Sequence, residues 1–274
     1  MYHRFGEDRY PTTSVTKGQF QGAKESFKST DKKSDVLLPA DEAYSASRQA
    51  MHKTGKDAEN VHNSGYNYGK NVLIGKNVKI GKNCLIGHNT IIERDVVIGS
   101  NCSIGSNVII RNTIIKDDVN ILDGCVIGKK GFGFFPNKNK NIRYPHIGIV
   151  IINKNCEIGC GSTIDRGSMS NTVIGKNSYL DNQIHIAHNN KIGDNCIIAG
   201  QVGFAGSSRL GNNVMIGGQA GISGHLKIGN NVKIAGGSGV IKDVPDNTRV
   251  MGYPAKDLKV FIKENRSWYT KQQL

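Results

Sequence analysis

The 274 residues carry 36 Lys and Arg against 22 Asp and Glu, a net charge of +14, with 37% apolar residues and 34 glycines. No stretch approaches the roughly 18 consecutive apolar residues of a membrane-spanning helix, so no transmembrane segment is expected. The basic residues form no solid block and do not alternate with aromatics, so the charge fits a solvated surface or an acidic substrate or protein partner, and not nucleic acid.

In chain order, residues 1–68 are polar and linker-like, with one helix expected around 41–53. The opening MYHRFGEDRYPTTS lacks the apolar core of a secretory signal, which points to the cytoplasm and to reduced cysteines. From Val72 a repeat takes over. Aliphatic residues recur every six positions at Ile74, Ile80, Ile86, Ile92, Ile98, Ile104 and Ile110, each preceded two residues earlier by a small or β-branched residue. The register slips by one and resumes at Ile115, Ile121 and Ile127. A loop, 129–146 (KKGFGFFPNKNKNIRYPH), then interrupts it, too long to be idle in a compact solenoid. The repeat returns at Ile152, Ile158 and Ile164, and runs unbroken from Ile174 through Leu180, Ile186, Ile192, Ile198 and Phe204 to Val240.

Period six with two inward side chains means a short strand and a sharp turn, and the Gly-Lys-Asn and Gly-Asn-Asn turns tolerate positive φ. Three such strands close one coil, and successive coils stack as parallel strands about 4.8 Å apart. The expected fold is all-β: a parallel β-helix over 69–253 with the loop ejected from it, and a helical tail over 254–274 with apolar Leu258, Phe261 and Ile262 on one face. Cys84, Cys102, Cys125, Cys156 and Cys196 fall at the small inward position and read as buried thiols. Outward apolar residues such as Leu85, Val97 and Val173 suggest that a face of the prism takes a partner copy.

The repeat arithmetic also locates neighbours in space. Ile164, Ile186 and Phe204 stack, so Arg166 lies one coil below His188, Gly206 one coil above it, and His225 two coils up and one residue along the turn. Acyl transfer from a thioester needs a base for the nucleophile and a donor for the tetrahedral oxyanion. A histidine suits the first role, and a backbone N–H at a glycine suits the second, since nothing blocks its approach. His188 with Gly206 above it meets both demands. A lone histidine on an outward turn is more often a solvated surface residue, and Asp165-Arg166 could equally be a local ion pair. Gly236-Gly237-Ser238-Gly239 reads either as a tight final turn or as an open groove for a fatty tail.

The repeat pattern is that of the hexapeptide-repeat family, whose coil is left-handed. More specifically, GKKGFGF, IGIVII, STIDRGSM, LDNQIHIAHNNKIGDNCIIAG, AGSSRLGNN, IGGQAGISGHLKIG and MGYPAKD resemble the UDP-3-O-(3-hydroxyacyl)glucosamine N-acyltransferases of lipid A biosynthesis over about residues 68–258. The resemblance implies His188 of IAHN as general base and Gly206 as oxyanion donor. It implies His225 of GH, Asn182 of LDNQ and Asp165 of STIDRG as substrate-binding residues. It further implies a homotrimer with sites between subunits, an acyl carrier protein as donor, a UDP-amino-sugar lipid precursor as acceptor, and no cofactor. The family's N-terminal uridine-binding domain has no evident counterpart in 1–68. Alternatives are the sister UDP-N-acetylglucosamine O-acyltransferases, a metalloenzyme of the γ-carbonic-anhydrase type using His185, His188 and His225, and an inactive β-helix scaffold. The His-Gln-Phe turn usual in the O-acyltransferases is replaced here by GISGH.

Overall fold

The structure is a computed structural model that describes residues 65–135 and 138–266; the helix expected around 41–53 lies outside the described residues. From Tyr66 the chain winds through short strands, mostly two or three residues long, that assemble into three stacked sheets of 11, 9 and 8 strands. One coil shows the plan. Tyr179–Leu180 lies on the first face, His185–Ile186 on the second and Lys191–Ile192 on the third, and Ile197–Ile198 then stacks in parallel on Tyr179–Leu180. The molecule is a parallel β-helix, as the hexad count requires.

Two devices hold the corners. Nearly every turn places an Asn, Asp or Gln at positive φ, as at Asn177, Asn195, Asn213, Asn231 and Asn247, a conformation that Asn and Asp adopt at lower cost than most residues. Below the third face these amides form a rail: Asn177 donates to Asn195 at 3.0 Å, Asn195 to Asn213 at 3.2 Å, Asn213 to Asn231 at 3.0 Å and Asn231 to Asn247 at 2.9 Å. The preceding residue of each turn has an outward N–H, and a side chain of the coil above accepts from it. Lys176 N–H donates to Asp194, Asp194 N–H to Asn212, Asn212 N–H to Asn230 and Asn230 N–H to Asp246, at 2.8–2.9 Å. This corner is therefore fully bonded, and it rigidifies one edge of the prism.

Inside, each coil contributes an aliphatic residue and a smaller one on each face. Ile92, Ile110, Ile127, Ile164, Ile186 and Phe204 are all at most 1% exposed, and each such side chain contributes about 1.5–3 kcal/mol of burial. The five cysteines expected inside are buried and free. Burial pushes the Cys125 and Cys156 thiols up to about 11, so neither supplies thiolate at neutral pH. The hexad position Ile74 differs from the expectation of a closed core, being 38% exposed, and the outward Leu73 beside it is 61% exposed. Their strand is the edge of its sheet, with no described coil beneath it.

The loop leaves the coil at Gly128, where φ is +82° and the register against Thr163–Arg166 bulges. Phe134–Phe135 then pairs antiparallel with Ile142–Arg143 before the chain rejoins the third face at Val150–Ile152. At the other end the chain forms helix α1, Leu258–Glu264, capped by the Asp257 carboxylate, which accepts from Lys259 N–H at 2.9 Å. None of its residues is fully buried.

Candidate active site

His188 stands at the corner after the second face. Ser207 N–H donates to the His188 carbonyl at 2.9 Å, and His225 N–H donates to the Gly206 carbonyl at 3.0 Å. These bonds stack His188, Gly206 and Gly224 in one column, with Asn189, Ser207 and His225 beside them at φ of 63°, 68° and 63°. The imidazole rises into the space where a side chain at 206 would hang. A Cβ on Gly206 would lie 2.6 Å from His188 Cε1 and 2.8 Å from Nε2.

The same column explains how a donor is left free. At the third-face corner a side chain from the coil above accepts from each outward N–H. Above Gly206 stands Gly224, whose absent side chain would approach Gly206 N and O. Ala205 N–H and Ser207 N–H are both bonded, to Ile222 and His188 carbonyls, while Gly206 N–H meets no acceptor among the described residues. Two glycines thus produce an unpaired donor beside an imidazole.

The ring is held on several sides. Asn189 Oδ1 accepts from Ser168 N–H at 2.8 Å, which fixes its amide so that Nδ2 donates to His188 Nδ1 at 3.2 Å. Since an amide nitrogen only donates, the resting ring carries its hydrogen on Nε2. Use of Nε2 as the base then requires the Asn189 amide to turn over. From the ejected loop, His146 packs against His188 with ring centroids 5.5 Å apart and planes at 79°. Gly131 separates them: a Cβ there would sit 2.8 Å from His188 Cδ2 and 3.0 Å from His146 Nε2.

Beneath this layer Asp165 is 1% exposed and pairs with Lys129 Nζ at 2.5 Å, with His185 Nε2 3.9 Å from its other oxygen. Neither carboxylate oxygen has an oriented hydrogen bond, so charge alone holds it. His185 Nδ1 meets Thr163 Oγ1 at 2.7 Å. Lys129 is the first residue of the loop, so this pair fastens the loop's stem to the coil. Removing one partner of a buried pair leaves an uncompensated charge, which costs about 3–5 kcal/mol. Lys129→Met is expected to destabilise toward the lower figure, because the lysine is partly exposed. A denaturant midpoint unchanged from the wild type would show that the pair contributes nothing.

Asn182 lies at the opposite corner of the second face, exposed, with its Oδ1 accepting from Cys160 N–H at 2.8 Å. His225 is exposed, two coils above His188. Within one chain neither is brought to His188, and among the described residues no three His, Cys, Asp or Glu side chains converge as metal ligands. Between the two corners the outward positions above His185 are bare. Gly203 and Gly221 have open space where a Cβ would be, whereas Gly239 lies buried beneath the Tyr253 ring. Gly239 therefore differs from the open groove position entertained from sequence: it makes room for an aromatic cap. The repeat arithmetic missed Lys129, Gly131, His146 and Tyr253. Their only signal was position in the loop or the tail, where the hexads stop counting.

Comparison with known proteins agrees with the repeat and the fold. The bacterial transferase hexapeptide model (six repeats) matches residues 77–112 and 207–242. A UDP-3-O-acylglucosamine N-acyltransferase of Caulobacter vibrioides is 45% identical over 155 residues, 57% of this chain and 45% of that protein. One from Dechloromonas aromatica is 51% identical over 71 residues, 26% of this chain and 20% of that protein. The matched stretches thus span less than half the length of these relatives. Among solved structures, the UDP-N-acetylglucosamine acyltransferase of Campylobacter jejuni superposes with a TM-score of 0.62 at 25% identity, covering 72% of this chain and 77% of that one. The chain carries hexapeptide repeats and is similar, over 57% of its length, to a UDP-3-O-acylglucosamine N-acyltransferase.

Proposed function

We propose that this protein is an N-acyltransferase that moves a 3-hydroxyacyl chain from acyl carrier protein to the 2-amine of a UDP-3-O-acylglucosamine. The observation that carries the reading is the His188 imidazole set beneath a side-chain-free residue with an unpaired N–H. The amine attacks the thioester carbonyl as His188 takes its proton, and Gly206 N–H receives the oxyanion. The tetrahedral adduct then collapses, the C–S bond breaks, and the carrier thiolate leaves with the proton that His188 returns. Asn182 and His225 are proposed to position the sugar, and Asp165 acts from beneath by fixing Lys129 and His185. On this reading Asn182 reaches the reacting centre from a neighbouring copy, in a homotrimer with sites between subunits. No described helix is long and apolar enough to cross a membrane, and on this reading the protein works in the cytoplasm.

The test offers the protein a 3-hydroxyacyl carrier-protein thioester with each of two acceptors, UDP-3-O-acylglucosamine and UDP-N-acetylglucosamine. N-acylation of the first is expected. Transfer only to the second would establish the O-acyl reaction, and transfer to neither would leave a scaffold.

The bare strip over Gly203 and Gly221 suits an acyl tail, and the Tyr253 ring closes its far end. Tyr253→Ala is expected to move the preferred donor to a chain about two carbons longer. Each methylene buried contributes about 0.8 kcal/mol, so the selectivity between the two donors should change by more than about tenfold. An unchanged ranking across donors of graded length would remove Tyr253 from the acyl path.

A further inference from the structure

We infer that His146 is a positioning residue for His188, holding a buried lone pair ready for the base once it is protonated. The inference rests on His188 as the base. His146 is 5% exposed although it belongs to a loop outside the coil. Its Nδ1 lies 2.9 Å from the Tyr144 carbonyl, and a carbonyl only accepts, so that nitrogen carries the ring hydrogen. Nε2 is then a bare acceptor. It is buried and has no hydrogen-bond partner, an arrangement that costs stability and calls for an explanation.

The geometry supplies one. Two imidazoles joined by a straight N–H···N bond of about 3 Å have their centres a little over 5 Å apart; here the centres are 5.5 Å apart with nearly perpendicular planes. A small turn of the His188 ring brings its Nε2–H onto His146 Nε2. When His188 takes the proton of the attacking amine on Nδ1, which the Asn189 amide gives up, that bond becomes charge-assisted and strengthens. Burial holds His146 below the usual histidine range, which keeps its lone pair unprotonated. The charged or titratable groups around the pair are Arg143, whose Nη1 donates to the Gly131 carbonyl at 3.0 Å, with Asp165, Lys129 and His185 beneath. Gly131 is what admits the two rings to each other.

Asn and Gln separate the two nitrogens. In His146→Asn the amide still reaches the Tyr144 carbonyl but places nothing at Nε2; in His146→Gln the amide oxygen stands near Nε2. His146→Asn is expected to fold like the wild type, keep KM and lose kcat by about ten- to hundredfold, in keeping with a hydrogen bond to a charged group. His146→Gln should recover most of that loss. Without substrate, nitrogen NMR of the His188 ring should show its protonation moving to lower pH in His146→Asn and back in His146→Gln. A His188 titration and a kcat unmoved in folded His146→Asn would overturn the inference. If His188→Ala itself retained full activity, the base assignment would fail first, and the NMR titration would still judge the contact between the rings.

Discussion

His188→Ala is expected to lower kcat about 10²–10⁴-fold, the usual loss when a general base is removed, with melting temperature and oligomeric state unchanged. The fold should survive because the structural work at this corner belongs to the next residues. Asn190 is fully buried, donates to the Ala187 carbonyl at 2.8 Å and the Ala205 carbonyl at 3.1 Å, and accepts from Ser208 N–H at 3.0 Å. His188 itself is only half-buried and contributes no core packing. Steady-state kinetics beside a thermal melt would check this, and a mutant with near wild-type turnover would end the assignment.

Gly206→Val is expected to be nearly as damaging, by about 10²–10³-fold, comparable with loss of an oxyanion donor. The backbone tolerates the change, since φ at 206 is not in the left-handed region. The collision is local: the new Cβ would come within 2.8 Å of two ring atoms of His188 and shade the free N–H. Gly206→Ala should give a smaller loss, because a single methyl can be met by a shift of the imidazole. Circular dichroism and melting are expected to match the wild type in both. A valine variant with normal kcat would mean that the oxyanion is held elsewhere.

Much of this site could be read from the repeat, because a fixed period converts sequence distance into height. Counting hexads placed Gly206 above His188 and His225 two coils up, and the observed backbone bonds have that register. The period is silent wherever the chain leaves the coil. Lys129 and His146 begin and end an excursion held against the coil by a buried ion pair and a packed ring, neither of which has a sequence interval. Tyr253 closes over Gly239 from beyond the last full coil for the same reason. The turn rule carried further than the residue types suggested. His225 occupies a left-handed turn position that elsewhere falls mostly to asparagine, so its side chain is aimed by backbone geometry rather than by contacts.

The asparagine rail and the glycine corner have a consequence for how such a molecule can change. In a stacked solenoid each unit's free energy depends mainly on the units directly above and below. Cohesion here runs along two edges, from Lys176 to Asp246 and along Gln183, Gln201 and Gln219, while the edge near His188 has given up its side-chain caps. Cohesion and reactivity are therefore written on separate tracks of the same prism. Selection can rewrite the reactive track one rung at a time, trading glycine for serine or histidine, and the other tracks still specify the shape.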